Sequence, residues 1–226
     1  MHELYQCLEI AKMAWNLLRR TPKLALIPLC CMLPALLSLF FYALGGSIDA
    51  VWNSLLLTSL LAPTGRIATG YAVFATLRGE SWTLGEALQK GAQHWMTGIF
   101  FGVLDIIAGI ICSWLVIYAL FGTFAAAFWV CMSALIPCAI AAGYTELPRA
   151  MARSERVFAL IRIELLFPAV LITVALGLLL SLFNLLGLLD GIGACLFIIL
   201  ILAPVREIIW QVFVSAAYHQ NAPARY

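Results

Sequence analysis

Two long stretches of this sequence contain almost no charge, and they limit the fold more than any other feature. Residues 24–44 are 21 residues without a charged side chain, and residues 97–143 contain one, Asp105, in 47. An α-helix rises about 1.5 Å per residue, so about 20 apolar residues cross the roughly 30 Å hydrocarbon core of a bilayer. The first stretch predicts one transmembrane helix. The second predicts two, joined by a tight turn near residues 118–122.

The composition excludes a soluble globular domain. Hydrophobic residues make up 64% of the chain and charged residues 11%, against roughly 45–50% and about 25% in soluble domains. So few charges cannot cover the apolar surface of a water-soluble fold. The stretch at 24–44 is longer than the apolar region of a signal peptide and ends in aromatic rather than small residues, so we interpret it as an uncleaved first span.

Three further apolar runs complete the predicted topology. They cover residues 54–77, 165–186 and 192–218. The sequence therefore predicts an all-α, polytopic membrane protein with six transmembrane helices.

The positions of lysine and arginine orient these spans. Eleven of the 13 basic residues lie on one side of a six-span topology: four before span one, two between spans two and three, four between spans four and five, and one after span six. The opposite loops contain Asp49 and Asp190 and no basic residue. Because cytoplasmic loops carry the excess of lysine and arginine, both termini are expected in the cytoplasm.

Each predicted pair of spans follows a segment with an apolar stripe and a charged face. These segments are residues 3–20, 83–95 and 146–163. In the first, Leu8 and Trp15 follow helical spacing, and in the second, Thr83 and Glu86 form a capping-box pattern. We expect three amphipathic helices on the inner leaflet, in a single membrane domain, 1–226, made of the units 1–77, 78–144 and 145–226.

Three segments carry a resemblance to a known group of proteins. They read AWNLLRRTPKLALIP, ATGYAVFATLRGESWTLGEALQKGAQHW and ALIPCAIAAGYTELPRAMARSERV. This sequence resembles uncharacterised bacterial six-helix membrane proteins, which are similar in style to the membrane domain of some glycerophosphodiester phosphodiesterases. The resemblance implies the topology and a bacterial cytoplasmic (inner) membrane. It implies no catalytic residue, because no segment here resembles the phosphodiesterase domain.

The charges inside the predicted spans are the candidate functional residues. Arg66, Asp105, Arg206 and Glu207 all lie about 15–18 Å from the inner edge at ~1.5 Å per residue, and Gln211 continues a polar stripe from Glu207. A charge at this depth costs at least about 2.5–3.5 kcal/mol, so it normally faces protein or water. Two positive and two negative charges at one depth predict a neutral intramembrane cluster.

This cluster has two main interpretations. It is either a set of ion pairs that holds the helices together, or a polar pocket or path for an ion, a proton or a small anionic solute. The leading hypothesis is non-enzymatic transport or sensing of a small or amphiphilic solute through a polar core. The alternatives are a structural or accessory membrane scaffold and, third, a membrane-embedded lipid enzyme.

The sequence gives no pattern typical of a catalytic or metal site. His2, His94 and His219 all fall near the predicted inner edge, and no Ser/His/Asp set, Cys/His set or metal-ligand spacing occurs. We therefore expect no enzymatic activity, metal or cofactor. Anionic lipids of the inner leaflet explain the basic face better than nucleic acid does. The expected partners are the lipid bilayer and either another membrane protein or a second copy of the chain.

Overall fold

The computed structural model describes residues 2–115, 119–185 and 203–221. Over these residues the fold is all-α, as the sequence predicts, with eight α-helices and no strand. The helices are α1 His2–Arg20, α2 Leu26–Ala43, α3 Ile48–Leu77, α4 Leu84–Ala92, α5 Trp95–Leu115, α6 Ala119–Ala141, α7 Leu147–Leu185 and α8 Ala203–Asn221. A short 3-10 helix, Pro22–Ala25, joins α1 to α2.

The centre of the bundle is α3. It packs against α2, α4, α5, α6 and α8, while α6 packs against α7 and α1 packs against α8. The C-terminal half of α3 is rich in small buried residues, including Ala68, Thr69 and Ala72. Small side chains let helix backbones approach closely, so several helices can contact α3 at the same level.

Within the described ranges, one helix is long and apolar enough to cross a bilayer by length and composition. It covers Pro22–Tyr42, and 24% of its most apolar stretch is buried. Two shorter apolar helical stretches are Trp95–Ala108 and Ala125–Ala141. Much of the predicted sixth span, residues 192–202, lies outside the described residues.

Two predicted boundaries can be compared with the structure. Residues 119–122 already belong to α6, so the turn predicted near 118–122 does not occupy them. Within α7, Ile161 departs from helical geometry, with φ −121° and ψ 28°, and this kink separates two helical segments close to the boundary predicted between residues 163 and 165. No glycine lies between them to end the helix, so the chain bends without a loop.

The first two segments predicted to be amphipathic form the helices α1 and α4. Thr83 and Glu86 form the predicted capping box at the start of α4. Helix α1 buries Ile10 and Leu17 against the bundle and leaves the predicted stripe residues Leu8 and Trp15 exposed, at 58% and 64%. It therefore has two apolar faces, one against protein and one outward.

Candidate functional site: a charged cavity among four helices

The structure brings three of the four predicted intramembrane charges into direct contact. Arg66 on α3 donates from Nη1 to Asp105 Oδ2 on α5 at 2.8 Å. Its Nε donates to Glu207 Oε1 on α8, also at 2.8 Å. One guanidinium therefore ties three helices together, with the planar multi-donor geometry that arginine provides.

Two glycines on α5 place Asp105 within reach of Arg66. A Cβ atom on Gly102 would lie 2.6 Å from the Leu60 Cα atom of α3, and one on Gly98 would overlap the Thr64 side chain. Real Cβ atoms essentially never approach so closely. The missing side chains therefore let α5 lie directly against α3, and Asp105, one turn beyond Gly102, meets Arg66.

A tryptophan on α6 completes the environment of Asp105. The Trp129 indole Nε1 donates to Asp105 Oδ1 at 2.8 Å, so both carboxylate oxygens accept a hydrogen bond. Sequence reasoning missed Trp129, because a tryptophan in an apolar helix gives no spacing signal that sets its direction. A buried indole N–H does require an acceptor, which is the one signal that could have indicated the contact.

Arg206 and Gln211 lie beside the contacting residues. Arg206 makes no ion pair or hydrogen bond with any residue the structure describes. Gln211 is 1% exposed, and its amide oxygen has no hydrogen-bond partner among those residues. Gln211, Arg66 and Glu207 all line a second, much smaller cavity of about 10 Å³.

The charged residues border a larger cavity of about 250 Å³ between α3, α5, α6 and α8. Its lining includes Arg66, Asp105, Arg206, Glu207, Ser59, Ser133, Trp129 and Trp210. The side chains of Arg66, Asp105 and Glu207 keep 15%, 19% and 17% of their accessible surface. The ion pairs are therefore not fully buried by packing, and they form part of the cavity wall.

His94 and His219 do not line this cavity. The His219 ring packs 5.7 Å from the Phe74 ring. Partial burial and the nearby Lys90 hold the pKa of His94 below its usual value. Within the described ranges, no three His, Cys, Asp or Glu side chains are grouped so that they could hold a metal ion.

A comparison of the chain with models of protein families, with curated proteins and with solved structures finds no match.

Proposed function

We propose that this chain is an integral protein of the bacterial inner membrane, with six spans and both termini in the cytoplasm. The segregation of basic residues supports the orientation. The exposure of α2 supports the location, because the core helix of a soluble protein would be mostly buried. The likeness to six-helix bacterial membrane proteins, which rests on the three segments quoted above, belongs to the same proposal.

The two faces of α5 support a lipid environment. Its inward face carries small and charged residues, Gly98, Gly102 and Asp105. Its outward face carries a continuous exposed stripe of large apolar residues: Met96, Ile99, Phe100, Val103, Ile107 and Ile111. Water-soluble helices have the opposite arrangement. An outward apolar stripe of this length is stable where the solvent is hydrocarbon.

The proposed orientation places α1 at the inner leaflet. Its exposed Leu8 and Trp15 stand beside Lys12 and Arg19, which are exposed as well. Interfacial helices combine apolar residues that enter the headgroup boundary with basic residues that contact anionic lipids. Anionic inner-leaflet lipids are therefore the proposed partners of this surface.

The proposed molecular function is non-enzymatic handling, by transport or sensing, of a small or amphiphilic solute through the polar core. The observation that carries it is the cavity of about 250 Å³ lined by Arg66, Asp105, Arg206 and Glu207. A cluster that served only to fasten helices would gain from close packing, since voids forfeit dispersion contacts. The alternative is a scaffold whose ion pairs are structural, which the bridging of three helices by Arg66 favours.

Cysteine labelling of the cavity wall separates these two functions. In a cysteine-free background, Ser59→Cys places a thiol in the cavity lining. Ser215→Cys, on α8, is the matched control, because this fully buried serine contacts only packed protein. A small, charged thiosulfonate added to proteoliposomes should modify the first variant and leave the second unmodified.

The opposite labelling result would refute the solute-handling function. If the Ser59→Cys thiol reacts no faster than the Ser215→Cys thiol from either side of the bilayer, solutes do not reach the cavity. The solute-handling proposal then fails, and the scaffold remains.

A further inference from the structure

The hydrogen-bonding capacity left unused in the cavity wall consists mostly of donors. Both oxygens of Asp105 already accept bonds, from Arg66 and Trp129, and Glu207 Oε1 accepts from Arg66. The Ser133 hydroxyl donates to the Val130 carbonyl at 3.3 Å. Three of the four carboxylate oxygens that could hold a cation therefore already accept a bond within the protein, and the fourth is Glu207 Oε2.

Two donors on α8 remain. The Arg206 guanidinium lines the cavity and bonds to no described residue, and arginine carries five N–H donors. One turn further along the same face, the Trp210 indole N–H has no partner in the described part of the chain, although this residue is only 3% exposed. A buried polar group without a partner is costly and calls for an explanation.

We propose that Arg206 and Trp210 bind the anionic group of a small ligand, a phosphate or a carboxylate, in the cavity. This inference rests on the proposed solute-handling function and names the chemistry of its solute. Arginine and an indole N–H together offer charge-assisted and neutral donors to one anion. Asp105 and Glu207 do not prevent binding, because Arg66 lies between them and partly neutralises both.

The cavity also limits the size of the ligand. Its volume of about 250 Å³ is below the roughly 300–1,000 Å³ of sites for drug-sized molecules. It suits a small organic anion, inorganic phosphate or one lipid headgroup. These sources share the same anionic chemistry, and the experiment below distinguishes them.

The test is titration calorimetry of the whole chain in phosphatidylcholine nanodiscs. The probes are inorganic phosphate, acetate and a short-chain phosphatidic acid, with choline chloride as the cationic comparison. We expect at least one anionic probe to bind and choline to show no binding. Binding of phosphate or acetate identifies a water-borne anion, and binding of phosphatidic acid alone identifies a lipid headgroup.

Variants assign the binding to the two donors. Arg206→Gln should lower the affinity for the anion by about tenfold or more, and a tenfold change equals about 1.4 kcal/mol. Trp210→Phe, which keeps the ring stacked on Phe213, should weaken it severalfold. Arg156→Gln removes an exposed cation from α7 and should change nothing. If Arg206→Gln does not fold, Arg206→Lys keeps the charge, loses the planar fork and should still bind more weakly than the native chain.

Three results would overturn the inference: no anionic probe binds, choline binds in their place, or anion affinity is unchanged in the Arg206 and Trp210 variants. In each case the labelling of Ser59→Cys tests the solute-handling function separately. A reactive Ser59→Cys thiol without anion binding refutes the anionic ligand alone, whereas an unreactive thiol refutes the solute-handling function itself.

Discussion

Arg66 Nη1 lies 2.8 Å from Asp105 Oδ2, while Nε of the same guanidinium lies 2.8 Å from Glu207 Oε1. One cation therefore serves two carboxylates from two different helices. Removal of the arginine leaves two unpaired negative charges, but removal of either carboxylate leaves a pair intact. Substitutions within the cluster should consequently differ in their effects on stability.

The first prediction ranks these substitutions. Asp105→Asn leaves Arg66 paired with Glu207, so the loss should be near the lower end of the roughly 3–5 kcal/mol typical of breaking a buried pair. Arg66→Gln should reach the upper end or exceed it. The exposed Arg149–Glu146 pair gives the control, since Arg149→Gln should cost less than about 1 kcal/mol. Unfolding in lipid nanodiscs measures all three, and a smaller loss for Arg66→Gln than for Asp105→Asn would contradict the shared-cation arrangement.

The second prediction concerns a charge-neutral double variant. Arg66→Gln combined with Asp105→Asn keeps Glu207 and Arg206, which are opposite in sign. The double variant should be more stable than Arg66→Gln alone, because one unpaired carboxylate is gone. If the cellular effect of deleting the protein is also reversed by the double variant, the cluster is structural. Recovery of stability without recovery of that effect supports the solute-handling function.

The third prediction tests the close approach of α5 to α3. Gly102→Ala would place a Cβ atom 2.6 Å from a backbone atom of α3, so the helices must separate. We expect a loss of about 1–3 kcal/mol. Gly85→Ala, in α4, meets nothing within 4 Å and should be stabilising by up to about 1 kcal/mol. Equal effects of the two substitutions on thermal unfolding would show that the glycine contact does not hold α5 in place.

Much of this arrangement could be predicted from the sequence because a few residues have strong physical requirements. A charged side chain in an apolar helix needs a partner, which made Arg66, Asp105 and Glu207 a candidate cluster. Gly98, Gly102 and Asp105 stand at helical spacing in the sequence, which favours one face of α5 for contact with a neighbouring helix. Thr83 and Glu86 indicated the start of α4, because a helix N-terminus leaves backbone N–H groups that require acceptors.

Other features depend on contacts that no local pattern encodes. The direction of Trp129 is set by the position of Asp105 on another helix. The kink that divides α7 lies at Ile161, where no proline or glycine gives a signal. The position of Arg206 beside the ion pairs, but outside them, depends on the rotation of α8 about its axis. A rotation of this kind is fixed by packing rather than by helical propensity.

The fourth prediction concerns pH and the capping box of α4. Hydrogen bonding from the Thr83 backbone N–H, which Glu86 Oε2 accepts at 2.7 Å, holds the pKa of Glu86 below its ordinary value of 4.5. Because the carboxyl pKa is lower in the folded helix, the ionised Glu86 stabilises the helix above pH 4.5. This stabilisation is lost as the pH falls through the folded-state pKa. Hydrogen exchange of the α4 amides, corrected for intrinsic rates, should therefore accelerate in acid.

Two variants check the origin of that acid sensitivity. Glu86→Gln keeps an acceptor that does not titrate and should remove the pH dependence. Thr83→Ala should cost about 1 kcal/mol of helix stability, because the Glu86 backbone N–H loses the Thr83 hydroxyl at 3.2 Å. Unchanged acid sensitivity in Glu86→Gln would assign the effect to another group.

The last prediction fixes the orientation of the chain in the membrane. Asp49 lies in the first turn of α3, where the Ser47 hydroxyl accepts a hydrogen bond from its backbone N–H at 3.1 Å, and its side chain is exposed. Gln89, within α4 and beyond the other end of α3, is also exposed. The 30 residues of α3 would cover about 45 Å at about 1.5 Å per residue, so the two positions should face opposite sides of the bilayer.

In a cysteine-free background, an impermeant maleimide added to intact cells should modify Asp49→Cys, and Gln89→Cys should react only after permeabilisation. Labelling of both from one side would show that α3 does not cross the membrane. Labelling of Gln89→Cys alone in intact cells would reverse the topology and contradict the orientation inferred from the basic residues.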